Sequence, residues 1–219
     1  MPVVDQFGQL VTQDRSYRIG RIISQIFHPT INGFVAFVLV GATAPDLPTV
    51  RYGLTWAAIC IATIIIPPAL YFYLRLFRGD FSDDDVSRRS ERTGLYIAAL
   101  LSTALGSIVL YRFGLPFVFL RLLVAAVAVT LVCMLVNFRW KISVHSASIA
   151  TLSMLATLFL HSIGAIFWLF ALAVGWARIR TGNHTPLQIL AGWTVAIVGV
   201  LLAFMVGAYS CMIGSTSLR

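Results

Sequence analysis

Two histidines with cations nearby are the residues of this chain best suited to chemistry. His145 follows Lys141 by four residues, and His184 follows Arg178 by six. Both pairs lie at the end of a long apolar stretch, where ionisable groups are costly and therefore mark a candidate site. Imidazole and guanidinium groups without an evident set of metal ligands indicate phosphate chemistry.

The composition of the chain is that of an integral membrane protein. Of its 219 residues 59% are hydrophobic and only 11% are charged, and the mean hydropathy is +0.89. Soluble domains carry far more charge. The net charge of +8 therefore indicates contact with anionic lipid and a positive-inside bias, and we expect no nucleic-acid partner. Residues 1–13 lack the basic start and apolar core of a cleavable signal.

The apolar segments predict an all-α integral membrane protein, a bundle of about six to seven transmembrane helices. One crossing needs roughly 20 apolar residues, with about 17 as the lower limit. The candidate segments are 28–45, 53–77, 93–112, 115–137, 144–161, 163–178 and 186–210. Pro67 and Pro68 predict a kink in the second segment, tolerated where neighbouring helices satisfy the freed carbonyls. We predict one transmembrane domain over 28–219.

An N-terminal interfacial segment over 1–27 precedes that domain. Arg15, Arg18 and Arg21 are spaced apart from four isoleucines in the stretch RSYRIGRIISQIF. This pattern predicts a helix lying in the membrane interface with its basic groups towards lipid headgroups. A helix packed on the bundle is the alternative.

Seven crossings place both histidines on the same face of the membrane. The loops at 78–92, 138–143 and 179–185 each follow an even number of crossings, so all three emerge on one side. That face carries most of the arginines and lysines. Because cytoplasmic loops are enriched in these residues, we predict an inner-membrane protein whose candidate site faces the cytoplasm.

Three segments on this face resemble the motifs of the type-2 phosphatidic acid phosphatase superfamily of membrane lipid phosphatases. The family pattern is KxxxxxxRP, then PSGH, then SRxxxxxHxxxD. Arg178 precedes His184 with the family's five intervening residues. Ser143 and His145 match letters of the second motif, and Arg92 matches the arginine of the first.

The resemblance spans roughly residues 75–192 and includes six departures. These are Asp85 for the lysine, Thr93 and Ile142 for prolines, Val144 for glycine, Ala177 for serine and Gln188 for aspartate. Lys141 or Arg88 would supply the cation lost with the lysine. Gln188, one helical turn beyond His184, would accept an imidazole N–H. Since an amide stabilises an imidazolium less than a carboxylate does, we expect a slower enzyme.

The resemblance also implies a role for each matching residue. His184 would attack phosphorus and form a phosphohistidine, while His145 would protonate the departing alkoxide and then activate water. Arg92, Ser143 and Arg178 would hold the phosphoryl oxygens. Neither a metal nor a cofactor is implied.

The acidic run near residue 80 allows another interpretation. Asp80 and Asp83 to Asp85 could bind Mg²⁺, as the Asp-rich motifs of membrane prenyltransferases do. The spacing favours instead a short helix capped by Ser82, whose dipole stabilises acidic residues in its first turn. We therefore expect no metal site.

The remaining cysteines and histidines have simpler interpretations. Cys60, Cys133 and Cys211 stand alone within apolar segments, which is typical of small buried hydrophobic residues. We interpret His28 as an interfacial residue and His161 as part of a tight turn.

The sequence thus predicts metal-independent hydrolysis of a lipid phosphate or diphosphate. Phosphatidate, phosphatidylglycerophosphate and prenyl diphosphates are the candidate substrates, with the lipid bilayer as the surrounding partner. A non-catalytic relative, acting as a lipid-binding protein or membrane subunit, is the alternative. A Mg²⁺-dependent prenyl-transfer enzyme ranks third.

Overall fold

The computed structural model of the protein describes residues 9–86 and 88–216, with the side chains of the last helix described as far as Met205. The helices are α1 (Arg15–Ile26), α2 (Pro29–Thr43), α3 (Val50–Cys60), α4 (Ile66–Phe77), α5 (Thr93–Arg112), α6 (Phe117–Asn137), α7 (Val144–Leu160), α8 (Phe167–Arg180) and α9 (Pro186–Thr216). A π-turn (Ile61–Ile65) joins α3 to α4, and 3₁₀ turns (Arg89–Arg92 and His161–Ile166) precede α5 and α8.

The described helices form an all-α membrane bundle, as the sequence predicts. By length and composition 5 helical segments could cross a membrane, or up to 6 if α1 and α2, which meet at 45°, count as one. One of these segments, Val144–Arg180, folds back on itself. The Ser153 hydroxyl donates to the Phe167 carbonyl (2.9 Å), and the Trp168 indole donates to Thr157 Oγ1 (3.1 Å). Helices α7 and α8 are therefore antiparallel neighbours.

The proline pair lies just beyond the π-turn, and its missing hydrogen bonds are replaced from a neighbouring helix. Pro67 and Pro68 have no N–H for the carbonyls of Thr63 and Ile64, four residues earlier. The Ser102 hydroxyl of α5 lies within hydrogen-bond distance of both carbonyls (3.1 and 3.2 Å). The irregular segment between α3 and α4 is thereby tied to α5.

From α2 onwards successive spans run antiparallel, with α3 and α4 counted as one span, so the connections gather at two ends of the bundle. We call the end with the α1–α2 junction and loops 78–88, 138–143 and 181–185 the site end. The far end has loops 44–49 and 113–116 and the turn His161–Ile166.

Capping residues begin the helices that matter most for the site. Ser143, His28 and Thr185 each accept a backbone N–H from the first turn of α7, α2 and α9. Pro186 is the first residue of α9, where its fixed φ suits a helix start. Local capping chemistry therefore fixes the start of α9.

Close packing of α9 on α7 brings two loops of the site end together. A Cβ on Gly192 would lie 2.7 Å from the Ser143 carbonyl oxygen, so only glycine permits this approach. The Ser143 amide donates to the Gln188 carbonyl at 3.3 Å.

Helix α1 packs along α8, which is the alternative that the sequence left open. Gly20 lies against Ala177, and Arg180 forms an ion pair with Asp14 (2.7 Å). Arg21 turns towards the acidic loop instead of lipid headgroups. Arg15, Arg18 and the isoleucines Ile19, Ile22 and Ile26 stay exposed on the outer side.

The acidic segment is a loop, so the predicted helix capped by Ser82 is wrong. Residues 81–85 form bends and a turn, in which Asp83 Oδ1 accepts the Asp85 amide (2.9 Å). The Ser82 amide and hydroxyl both donate to Glu91 Oε2 (3.0 Å each). Local side-chain to backbone hydrogen bonds of this kind compete with helix formation.

Candidate functional site

A cavity of about 340 Å³ opens among the helices at the site end. His28, Asp85, Arg92, His145 and His184 line its polar part. The structure therefore brings together residues from four separate connections, as expected if the three loops and the α1–α2 junction share one end.

The orientation of His184 is fixed by Gln188. The Thr185 amide donates to Gln188 Oε1 (3.2 Å), so this atom is the amide oxygen. His184 Nδ1 lies 3.0 Å from the same oxygen and must therefore carry the proton. Nε2 of the neutral ring then keeps its lone pair, which is the form a nucleophile requires.

The electrostatic surroundings of His184 keep its ring neutral. His184 is buried, with 4% of its surface exposed. Burial and the cations of Arg178, Arg92 and Lys141 hold the pKa of His184 well below its ordinary value, although the Gln188 hydrogen bond acts in the opposite direction. At neutral pH the imidazole can therefore donate an electron pair.

Arg178 is fully buried and only partly satisfied. Its exposed fraction is 0%, and Nη1 donates to Asp85 Oδ2 (3.0 Å). Nε and Nη2 have no hydrogen-bond partner among the described residues. Unpaired buried donors of a charged group are expensive, so this guanidinium is suited to a further anionic ligand.

Asp85 is the carboxylate at the centre of the cluster. Its Oδ2 accepts hydrogen bonds from Arg178, Arg21 (3.0 Å) and Asn183 (3.1 Å). Burial alone would raise the pKa of Asp85, but the cations of Arg178 and Arg21 outweigh it and hold the pKa well below its ordinary value. Asp85 lines the cavity, whereas Arg178 is absent from the lining. The carboxylate therefore covers the guanidinium.

His145 lies beside this carboxylate without a hydrogen bond to it. Its Nε2 is 4.0 Å from Asp85 Oδ1 and has no hydrogen-bond partner among the described residues. The His28 ring meets the His145 ring edge to face, with centroids 5.5 Å apart. His145 thus presents an unpaired, buried ring nitrogen close to the polar end of the cavity.

Arg92 connects two loops of the site end. Its Nε donates to the Val86 carbonyl (2.8 Å) and its Nη1 to the Ile142 carbonyl (3.1 Å). Because Arg92 also lines the cavity, its guanidinium both holds the loops and adds positive charge at the polar end.

Besides Arg178, three other proposed phosphate ligands lie outside the cavity lining. Ser143 is buried, and its hydroxyl caps α7 by accepting the Ser146 amide. Lys141 is half-buried, and burial together with the cations of Arg92 and Arg178 lowers its pKa to about 8. Arg88 is 74% exposed, with Glu91 at 3.8 Å. Arg88 precedes the 3₁₀ turn Arg89–Arg92, so no α-helix brings its side chain beside that of Arg92.

The acidic residues of the loop face separate partners. Asp80 pairs with Arg75 (2.8 Å), and Asp84 pairs with Arg21 (2.6 Å). Among the described residues no group of three His, Cys, Asp or Glu side chains could hold a metal ion.

Sequence reasoning missed four contributors to the site. Arg21, Asp85 and Asn183 form the hydrogen-bonded cluster around Arg178, and His28 lines the cavity. Asp85 had two signals in the sequence, its place opposite the family's lysine and its membership of the acidic run, and neither indicates a contact with Arg178. Cys60 and Cys133 are buried as predicted, and Cys211 lies outside the described side chains.

No protein-family model matches the chain, and neither a search of curated proteins nor one of solved structures finds a match. The geometry of the site indicates which chemistry it could perform. A neutral imidazole, a second imidazole with an unpaired nitrogen and a buried guanidinium could together transfer a phosphoryl group.

Proposed function

We propose that this protein hydrolyses a lipid phosphate or diphosphate through a phosphohistidine at His184, without a metal ion. The observation that carries the proposal is Arg178, a fully buried guanidinium with two unpaired donors. A planar guanidinium edge matches the geometry and charge of a phosphoryl group. The resemblance to the type-2 phosphatidic acid phosphatase motifs supports the same chemistry.

In the first half-reaction, Nε2 of His184 attacks phosphorus and the bond from phosphorus to the leaving oxygen breaks. The lipid alkoxide, or the lipid monophosphate from a diphosphate substrate, takes a proton from His145. Arg178 and Arg92 stabilise the negative charge of the transferring group. Donors placed in advance at such a position commonly supply the largest part of catalysis.

In the second half-reaction, water attacks the phosphohistidine and the bond from phosphorus to nitrogen breaks. His145 takes the proton from that water, and inorganic phosphate leaves. An acid-base group of this kind contributes roughly 100- to 10,000-fold to the rate.

Asp85 must give way for the phosphoryl group to reach Arg178. Its carboxylate holds Nη1 of that guanidinium at 3.0 Å and offers oxygen atoms similar to those of phosphate. We therefore assign Asp85 as an internal competitor of the substrate anion. This competition, together with the Gln188 amide beside His184, predicts a slow enzyme.

The apolar surroundings support a lipid substrate, and the charges support a cytoplasmic site. The cavity continues from its polar end into an apolar interior. The far end has Arg51, Arg112 and Arg121 as its cations, far fewer than the site end, where most of the others lie. The positive-inside bias then directs the site end towards the cytoplasm, and we assign the protein to the inner membrane.

The test is phosphate release by the purified protein in detergent, with EDTA present. The substrates are phosphatidate, phosphatidylglycerophosphate and prenyl mono- and diphosphates. His184→Ala is the inactive variant, and His161→Asn at the exposed far-end turn is the matched control. We expect release that persists in EDTA, disappears in His184→Ala and is unchanged in His161→Asn.

Phosphate release that is equal in wild type and His184→Ala would contradict the proposal. The second candidate function is lipid-phosphate binding without hydrolysis, and the coverage of Arg178 by Asp85 favours it. It predicts that the lipids bind to the wild type and are recovered intact.

A further inference from the structure

The cavity at the site end extends deep into the bundle. Its lining runs from Arg92 into α5 as far as Thr103, and on α6 from Cys133 to Leu122. Each stretch covers eleven residue steps, or about 16 Å at roughly 1.5 Å per residue. The hydrocarbon core of a membrane is roughly 30 Å thick. The cavity is therefore about as deep as the hydrocarbon of one leaflet.

The deep part of the cavity is apolar in chemistry. Phe37, Ile64 and Leu122 line its inner end. The hydroxyls of Thr103 and Thr151 donate to carbonyls of their own helices (2.8 and 3.0 Å), so they are already satisfied. A ligand there gains contacts with apolar surface and meets few groups that need a hydrogen-bond partner.

The volume is suited to a single hydrocarbon chain. An apolar protein cavity of about 150 Å³ holds one benzene molecule. A cavity of about 340 Å³ therefore holds on the order of a dozen carbon atoms. Two long acyl chains would not fit.

Helices α2 and α4 both line the cavity, on either side of the irregular segment between α3 and α4. Helix α2 packs along α3 and the π-turn, while α4 lies against α5. The cavity lining includes Thr30 and Gly33 on α2 and Pro68 and Phe72 on α4. Thr30 and Gly33 lie in the site-end half of α2, and Pro68 and Phe72 lie in the site-end half of the span Val50–Phe77.

We propose that this cavity is a chain-binding subsite, which takes one hydrocarbon chain of the lipid phosphate from the bilayer between α2 and α4. The inner end of the cavity limits the length that can be held. The subsite rests on the proposed function for the identity of the headgroup, but the chain contact itself can be measured without catalysis.

The test fills the cavity halfway down. Ala126 of α6 lines it seven residues from Cys133, about 10 Å from the polar end at roughly 1.5 Å per residue. Ala126→Phe places a ring in the path of a long chain and leaves room for a short one. The matched control is Val124→Phe on the same helix, because Val124 is 52% exposed on the outer surface.

The first readout is kcat/KM for butyl, dodecyl and farnesyl phosphate. We expect Ala126→Phe to lower kcat/KM at least tenfold for the dodecyl and farnesyl esters and to leave the butyl ester unchanged. Val124→Phe should match the wild type on all three. Equal kcat/KM values of the wild type for the dodecyl and farnesyl esters would support a chain subsite that accepts straight and branched chains alike.

The second readout is binding of dodecylphosphonate and butylphosphonate, which cannot be hydrolysed, measured as protection against thermal unfolding. Ala126→Phe should lose protection by the dodecyl compound alone. Ala99→Leu, a smaller change on the α5 wall, repeats the test if the phenylalanine variant does not fold. Unchanged dodecyl binding in the filled variants overturns the chain subsite. Normal chain discrimination without phosphate release overturns only the proposed hydrolysis.

Discussion

The two ends of the bundle contain the same residue types in opposite environments. At the site end His145, His184 and Arg178 are buried around a cavity. At the far end His161 and Arg112 are exposed. Histidine and arginine therefore occur at both ends, but the three site-end residues are buried and the two far-end residues are exposed.

The difference shows where the fold accepts an energetic cost. A buried cation loses its hydration and is tolerated when an anion compensates it. Asp85 provides that anion for Arg178 and Arg21, yet two donors of Arg178 are left unpaired. The exposed Arg51 and Arg112 of the far end need no such partner, because water solvates them. A costly and incompletely satisfied cluster is the mark of a binding site.

The largest expected effect comes from replacing the buried guanidinium. Arg178→Lys keeps the charge but removes the planar pair of donors, and Arg121→Lys makes the same change near the far end. Arg121 is a suitable control because its Nε is also buried without a partner and its guanidinium lies over the Phe117 ring. We expect kcat to fall roughly 100- to 1,000-fold in Arg178→Lys alone.

Steady-state phosphate release from the best substrate provides the measurement. The thermal unfolding midpoint of each variant separates lost chemistry from lost structure. A similar loss of kcat in Arg178→Lys and Arg121→Lys would show that the guanidinium at the site end has no special role in the reaction.

The sequence was sufficient for the fold and for part of the site. The lengths of the apolar segments predict helices that end within a few residues of those observed. The even number of crossings before each loop places the loops of Arg92, His145 and His184 at one end. The helix start at Thr185 and Pro186 follows from local capping chemistry. Each of these features depends on neighbouring residues or on the alternation of crossings.

The rest of the site depends on contacts between distant residues. Arg21 reaches Asp85 across 64 positions, and Arg178 reaches it across 93. No spacing rule encodes these contacts, since they arise when α1 packs on α8 and the acidic loop turns inward. The position of Arg88 is a local effect instead: the chain from Arg89 to Arg92 is a 3₁₀ turn, so the α-helical spacing that would put Arg88 and Arg92 on one face does not apply.

A smaller effect is expected from the carboxylate that covers Arg178. Asp85→Asn removes the competing charge, whereas Asp84→Asn removes an equal charge that contacts Arg21 and Gln25 instead of Arg178. We expect the dissociation constant of inorganic phosphate to fall about tenfold in Asp85→Asn and to stay nearly constant in Asp84→Asn. Ten-fold tighter binding corresponds to about 1.4 kcal/mol.

Isothermal titration with phosphate measures this change directly. The unliganded Asp85→Asn protein should also unfold at a lower temperature, because a buried guanidinium loses its charged partner. Weaker phosphate binding in Asp85→Asn would show that the carboxylate positions Arg178 for the ligand, and the assignment of Asp85 as a competitor would then be wrong.

The smallest expected effect concerns the proton of Lys141, and it tests whether the positive field of the site end acts on a bound anion. The pKa of Lys141 is lowered to about 8 by burial and by Arg92 and Arg178, against the opposing effect of Asp83 and Asp85. Below this pH the ammonium adds to the positive field; above it the charge is lost. Phosphate binding should therefore weaken a few-fold as pH rises from about 7 to about 9.5, since inorganic phosphate is largely dianionic over most of this range and His184 stays neutral. Lys141→Arg keeps its charge throughout and should remove this dependence, so equal pH profiles for the two proteins would exclude Lys141 from the field that attracts the anion.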